Sequence, residues 1–130
     1  MTPKAPRTNE CSASDRAGRI ARAEEFWNDA ADLHTLGVAG PNTLVTLYVH
    51  AGIAAADAIC CARLGEYSNS TNHSDAVALL KRADRALAAP LQRLISMKSA
   101  AGYGAAPMAA QRVTEAQNAA TKLMNAVRLL

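Results

Sequence analysis

Aromatic residues are almost missing from this 130-residue chain, which holds one Phe, one Trp and three Tyr. A core with so little bulk must bring its backbones close together. Segments of alternating polar and apolar residues are missing too, and the β-branched residues are scattered, so the signals of a sheet are absent. No P-loop, GxGxxG or GxSxG pattern occurs, which leaves nucleotide-hydrolase, Rossmann and α/β-hydrolase readings without support. HxxxH, CxxC and ExxH spacings are also lacking, so neither a metal nor a cofactor is expected. Cysteine is scarce and unpatterned. Cys60 and Cys61 are neighbours on a predicted helix, where they point about 100° apart, and Cys11 lies in a predicted tail. Such an odd set reads as free thiols in a reducing compartment. The first 15 residues contain no apolar run of the kind that makes a secretory signal, and a cytoplasmic location is the expectation.

What the chain does have is alanine: 30 of its residues, within a composition that is 50% hydrophobic. Alanine is the strongest helix former, so the sequence predicts an all-α protein, a compact bundle of about five helices in one domain. Residues 1–14 read as a flexible tail and 15–130 as the bundle. Ser14 and Asp15 open the first helix, and Ile20, Ala23, Trp27, Ala30 and Leu33 recur along it until Gly37. The second starts at Gly40-Pro41 and is apolar nearly all round, the mark of a central helix. Its length would span a membrane, but Asp57 alone costs about 2.5–3.5 kcal/mol of insertion, and no membrane is expected as a partner. Asn72 caps a third helix. A break near residues 87–89 precedes a fourth that starts at Pro90, and Pro107 opens a fifth.

The net charge of +3 conceals a split. Residues 1–75 carry six basic and nine acidic side chains, whereas residues 76–130 carry eight basic and two acidic ones. A basic half can serve as a surface for nucleic acid, with Lys81, Arg82, Arg85, Arg93 and Arg112 as the candidates. The plainer reading is that it faces the acidic first helix, Glu24, Glu25, Asp29 and Asp32, within one chain or across a dimer. Arg16, Arg19 and Arg22 turn around the first helix without forming a stripe, and read as solvated surface.

Two charges interrupt apolar seams. Asp57 sits in the middle of the second helix, on the same face as His50, and Lys98 lies on the inward stripe of the fourth. A charge buried without a partner is too costly to keep, so Asp57 and Lys98 are expected to pair, with His50, His73 and Tyr103 as neighbours. That polar cluster is either a structural register device or a site.

Three segments carry a family likeness: HAGIAAADAICC (50–61), NHSDAVALL (72–80) and LISMKSAAGYG (94–104), followed by an alanine-rich last helix. In this order they resemble the HEPN superfamily, and within it small bacterial, actinobacterial-type HEPN-like proteins, over roughly residues 17–128. The resemblance implies an up-and-down helical bundle, frequent homodimerisation and an association with RNA or nucleotides, often in toxin–antitoxin or defence loci. HEPN nucleases resemble one another in an Arg followed by His after four to six residues. His34, His50 and His73 have no Arg at that spacing, so no catalytic residue is carried over. The leading expectation is a homodimeric, RNA- or nucleotide-associated HEPN-like module with no assigned catalytic residue. The alternatives are a non-catalytic protein-interaction bundle within a larger assembly, and a divergent enzyme using the Asp/His/Lys/Tyr cluster.

Overall fold

A computed structural model describes residues 7–130 of the chain. Five α-helices form the body: α1 (Ala13–Leu36), α2 (Pro41–Leu64), α3 (His73–Ala83), α4 (Ala88–Tyr103) and α5 (Ala110–Arg128). The all-α expectation holds, with one small addition. Strands β1 (Thr8–Glu10) and β2 (Glu66–Ser68) pair antiparallel, Asn9 opposite Tyr67.

Local chemistry sets the helix ends. Ser12 caps α1 in a reciprocal box: its hydroxyl accepts from the Asp15 N–H, and the Asp15 carboxylate accepts from the Ser12 N–H. Gly37 and Gly65 end α1 and α2 at φ of 68° and 70°, a left-handed turn that only glycine makes without strain. The Asn72 side chain accepts from the Ser74 N–H and starts α3. Asp84 then ends α3 and caps a 3₁₀ turn, Arg85–Leu87, that runs directly into α4. Pro90 therefore lies in the first turn of α4, where its missing N–H costs nothing. The fifth helix starts at Ala110 rather than Pro107, because the Asn42 side chain holds the connecting loop by accepting from the Met108 N–H and donating to the Ala106 carbonyl.

Helix α2 is the centre of the bundle and packs against all four others, while α4 lies between α3 and α5. By length and composition it is the one helix among the described residues that could cross a membrane, yet 67% of its apolar window is buried in the bundle. Tyr48, the largest fully buried side chain, packs against Trp27 of α1, and its hydroxyl shares a 2.8 Å hydrogen bond with His34 Nδ1. That bond satisfies the one polar atom this side chain carries into the core.

The predicted tail is not a tail over residues 7–12. Cys11 forms a disulfide with Cys61, the Cys11 N–H donates to the Gly65 carbonyl, and the Asn69 N–H donates to Arg7. Residues 1–6 lie outside the described chain. Free thiols are what the sequence predicts, because Cys60 and Cys61 point apart on one helix and Cys11 falls in a predicted tail. A bond across 50 positions arises because β1 runs back along the end of α2. Cys60 remains a free, buried thiol.

A candidate site around Arg19 and Asp57

The partner of Asp57 is not Lys98. Arg19, from the arginine series assigned to solvated surface, reaches from α1 and donates from Nη1 to Asp57 Oδ2 at 3.1 Å. Both side chains are largely shielded, with 30% and 20% of their surface exposed. The reason is helix crossing. Helices α1 and α2 run antiparallel and α1 covers the face of α2 that carries His50 and Asp57, so the nearest cation comes from α1. Helix periodicity shows that Asp57 points inward, but it cannot show which helix lies opposite.

Tyr67 of β2 completes the cluster. Its ring lies under the Arg19 guanidinium, 3.5 Å from centre to carbon, and its hydroxyl accepts from the Asn9 side chain. Arg19 is therefore held from two sides, by a carboxylate and by an aromatic face. Its Nε is buried without a hydrogen-bond partner among the described residues.

Two cavities meet at Asp57. One is an open groove of about 290 Å³ between α1 and α2, with Arg19, Arg22, Phe26, His50, Ile53 and Asp57 among its walls. His50 stacks against Phe26 with ring centres 5.5 Å apart. Burial, together with the nearby Lys98 ammonium, pushes the imidazole below its ordinary value. The other cavity is small, about 20 Å³, enough for one water molecule. Asp57, Cys60, Ser68 and His73 contribute its polar atoms within an otherwise apolar wall.

The predicted polar cluster is thus only partly assembled. Asp57 joins His50 in the groove and His73 in the small cavity, and Lys98 acts on His50 rather than on Asp57. Tyr103 is 88% exposed at the end of α4 and takes no part. Sequence reasoning missed Arg19, Phe26, Tyr67 and Ser68. No group of three or more His, Cys, Asp and Glu side chains converges in a metal-holding arrangement among the described residues.

Burial raises the Asp57 carboxyl to about 6, although the Arg19 charge pulls the other way. Burial, reinforced by the Asp57 charge, pushes the Cys60 thiol up to about 12, so it is protonated and a poor nucleophile at neutral pH. The Asp57 shift makes a stability prediction. A carboxyl raised in the folded state binds its proton more tightly there than in the unfolded chain. Its contribution is fully present below the ordinary value of 3.8 and is lost as pH rises through about 6. That loss amounts to about 3 kcal/mol. In Asp57→Asn this component should vanish, so the variant should gain stability relative to wild type between pH 4 and pH 7. Urea unfolding of both proteins at the two pH values checks this, and a difference that does not change with pH would contradict it.

The basic candidates divide in two. Arg82 is 3.6 Å from Glu66 and Arg112 is 3.1 Å from Glu115. Lys81, Arg85, Arg93 and also Lys122 are exposed and make no ion pair among the described residues. Arg93, Glu115, Asn118 and Lys122 line a polar groove of about 280 Å³ between α4 and α5. The plainer expectation, that the basic half is spent on the acidic first helix, accounts for one contact, Arg128 Nε to Glu24 at 3.5 Å. Neither a protein-family model nor a curated protein matches the chain.

Proposed function

We propose that this protein is a non-catalytic, HEPN-like module that works as a homodimer and binds RNA through α3, α4 and α5. The observation that carries the reading is the charge left over on those helices. Asp84 and Glu115 are the only acidic residues after position 75, and both are already neutralised, by Arg63 and Arg112. Lys81, Arg85, Arg93 and Lys122 make no ion pair among the described residues, and the α4–α5 groove, whose wall also holds the Arg112-paired Glu115, gives two of them a concave seat for a phosphate. The shortage of aromatics argues against reading bases by stacking, so recognition follows the backbone with little sequence preference. The missing Arg–His spacing further means that bound RNA is not cut.

Four phosphate contacts to a single strand imply a salt slope near −3. Affinity for labelled single-stranded RNA should fall about 50-fold between 50 and 200 mM salt. Arg93→Ala combined with Lys122→Ala should roughly halve that slope. No binding at low salt would remove the RNA reading in favour of a protein-interaction bundle. Metal-independent cleavage in the same samples would instead favour the enzyme reading, with His73 and Asp57 as the first residues to mutate.

The dimer has its own support. The family resemblance carries the two-fold assembly, and Leu36 and Val38 at the end of α1 and Tyr103 at the end of α4, 70–88% exposed, are side chains that such an assembly would cover. Light scattering at tens of micromolar should give twice the chain mass of 13.6 kDa; a monomer mass would refute it. The reading places the protein in the cytoplasm, where a disulfide is a transient, redox-sensing bond.

A further inference from the structure

We propose that the Cys11–Cys61 disulfide is a redox latch that sets access to the small cavity beside Asp57 and Cys60. The two half-cystines differ in exposure: Cys11 is partly open to solvent and Cys61 is buried. The bond fastens the end of β1 to α2, and the β1–β2 pairing it secures is only three residues long. Two short strands alone are marginal in water, so the arm depends on the covalent tie for its place. From the arm the contacts run inward without a gap. Asn9 donates to the Tyr67 hydroxyl at 3.2 Å, the Tyr67 ring supports the Arg19 guanidinium at 3.5 Å, and Arg19 holds Asp57 at 3.1 Å. Asn69 reinforces the link by donating to the Asn9 side chain at 2.7 Å. Arg19 and Asp57 are walls of the α1–α2 groove, while Asp57 and Ser68, the last residue of β2, wall the small cavity that holds Cys60 and His73. Release of the arm loosens β2 and both of these walls.

The chemistry is thiol–disulfide exchange. One thiolate of a dithiol reductant attacks Cys11 Sγ, the accessible sulfur, and Cys61 leaves as a thiolate that takes up a proton. The reductant's second thiolate then attacks its own sulfur in the mixed disulfide. It closes a cyclic disulfide and releases Cys11, so two electrons pass from the dithiol to the protein. A small-molecule disulfide runs the two steps in reverse and closes the latch.

Cys60 reports the state of the latch, because it is buried in the cavity beside Asp57 and is the free thiol of the oxidised protein. Oxidised protein and protein reduced with dithiothreitol and then desalted anaerobically are treated with iodoacetamide, and alkylation of Cys60 is followed by peptide mass. Amide hydrogen exchange is measured on the same samples. The expected result is at least tenfold faster alkylation of Cys60 and faster exchange at Glu66–Ser68 after reduction, with α4 and α5 still protected. Tyr67→Ala, which cuts the chain of contacts but leaves the disulfide intact, should speed Cys60 alkylation in the oxidised protein. Equal rates in the two redox states would overturn the proposal. So would a rise in exchange on reduction that is no larger at Glu66–Ser68 than in α4 and α5, since the bond would then be a general staple and not a local latch.

Discussion

Cys11→Ser lowers the stability of the oxidised protein by about 4 kcal/mol, the largest single loss expected from any one residue here. The disulfide joins positions 50 apart. Closing a loop of that length removes chain entropy from the unfolded state, worth about 4 kcal/mol at 25 °C. The native-state cost is smaller in kind. Without the bond, β1 has only its short pairing with β2, whereas the five helices keep their shared core, because Cys61 lies at the end of α2 and away from the Gly52–Leu94–Leu123 contact. The variant should therefore still be helical at 25 °C and melt roughly 15 °C lower. Thermal unfolding followed by circular dichroism, with and without reductant, is the check. Reductant should lower the wild-type midpoint to near that of the variant and leave the variant unchanged. A wild-type midpoint indifferent to reductant would show that the bond contributes nothing.

Gly52→Val should cost about 3 kcal/mol, the upper range for overpacking a dense core. Gly52 is buried in the middle of α2, where α4 and α5 both press against it. A Cβ at this position would overlap Leu94 Cδ1 and stand 3.2 Å from Leu123 Cδ1. Leu94 and Leu123 are themselves fully buried, so neither has free space to move into. Valine's better helix propensity returns only about 0.5 kcal/mol. Gly52→Ala should fall between the two, since one methyl displaces a single leucine terminus. Both variants are read by urea unfolding. If Gly52→Val proves as stable as wild type, the three helices are not packed against one another as tightly as their small residues imply. The same substitution separates packing from function, because Gly52 touches neither the basic surface nor the Arg19–Asp57 pair.

The consequences of a core poor in bulk are visible throughout. Of the 30 alanines, those on α2 at 51, 55, 56 and 58 are buried where α1, α4 and α5 converge. Close approach of backbones replaces large side chains as the source of contact, and dispersion contacts between many small groups supply the cohesion. Such a bundle has few places for a cavity. Gly18 lines the groove at Arg19, Phe26 and His50, where a Cβ would meet nothing within 4 Å.

Sequence alone determined the helical class, the central place of α2, the C-terminal stops of α1 and α2 and the start of α3. Each of these follows from neighbours in the chain: alanine propensity, apolar residues all round one helix, Gly37 and Gly65 as stops, Asn72 as a cap. Ser12 rather than Ser14 caps α1, however, and α3 ends at Ala83, before the predicted break at 87–89. Sequence also marked Asp57 as a charge facing inward, since that is a matter of periodicity within one helix. Tertiary structure decided everything that required knowing which helix lies opposite which. It gave Asp57 to Arg19 instead of Lys98, left Tyr103 in solvent, and brought Asn9 and Tyr67, 58 positions apart, into one hydrogen bond. It also joined Cys11 to Cys61, which turns the start of the described chain from a tail into a fastened strand. The physical reason is the same in each case. Helix and turn preferences are local energies set by neighbouring residues, whereas ion pairs, disulfides and stacked rings depend on distances that arise only after the helices pack.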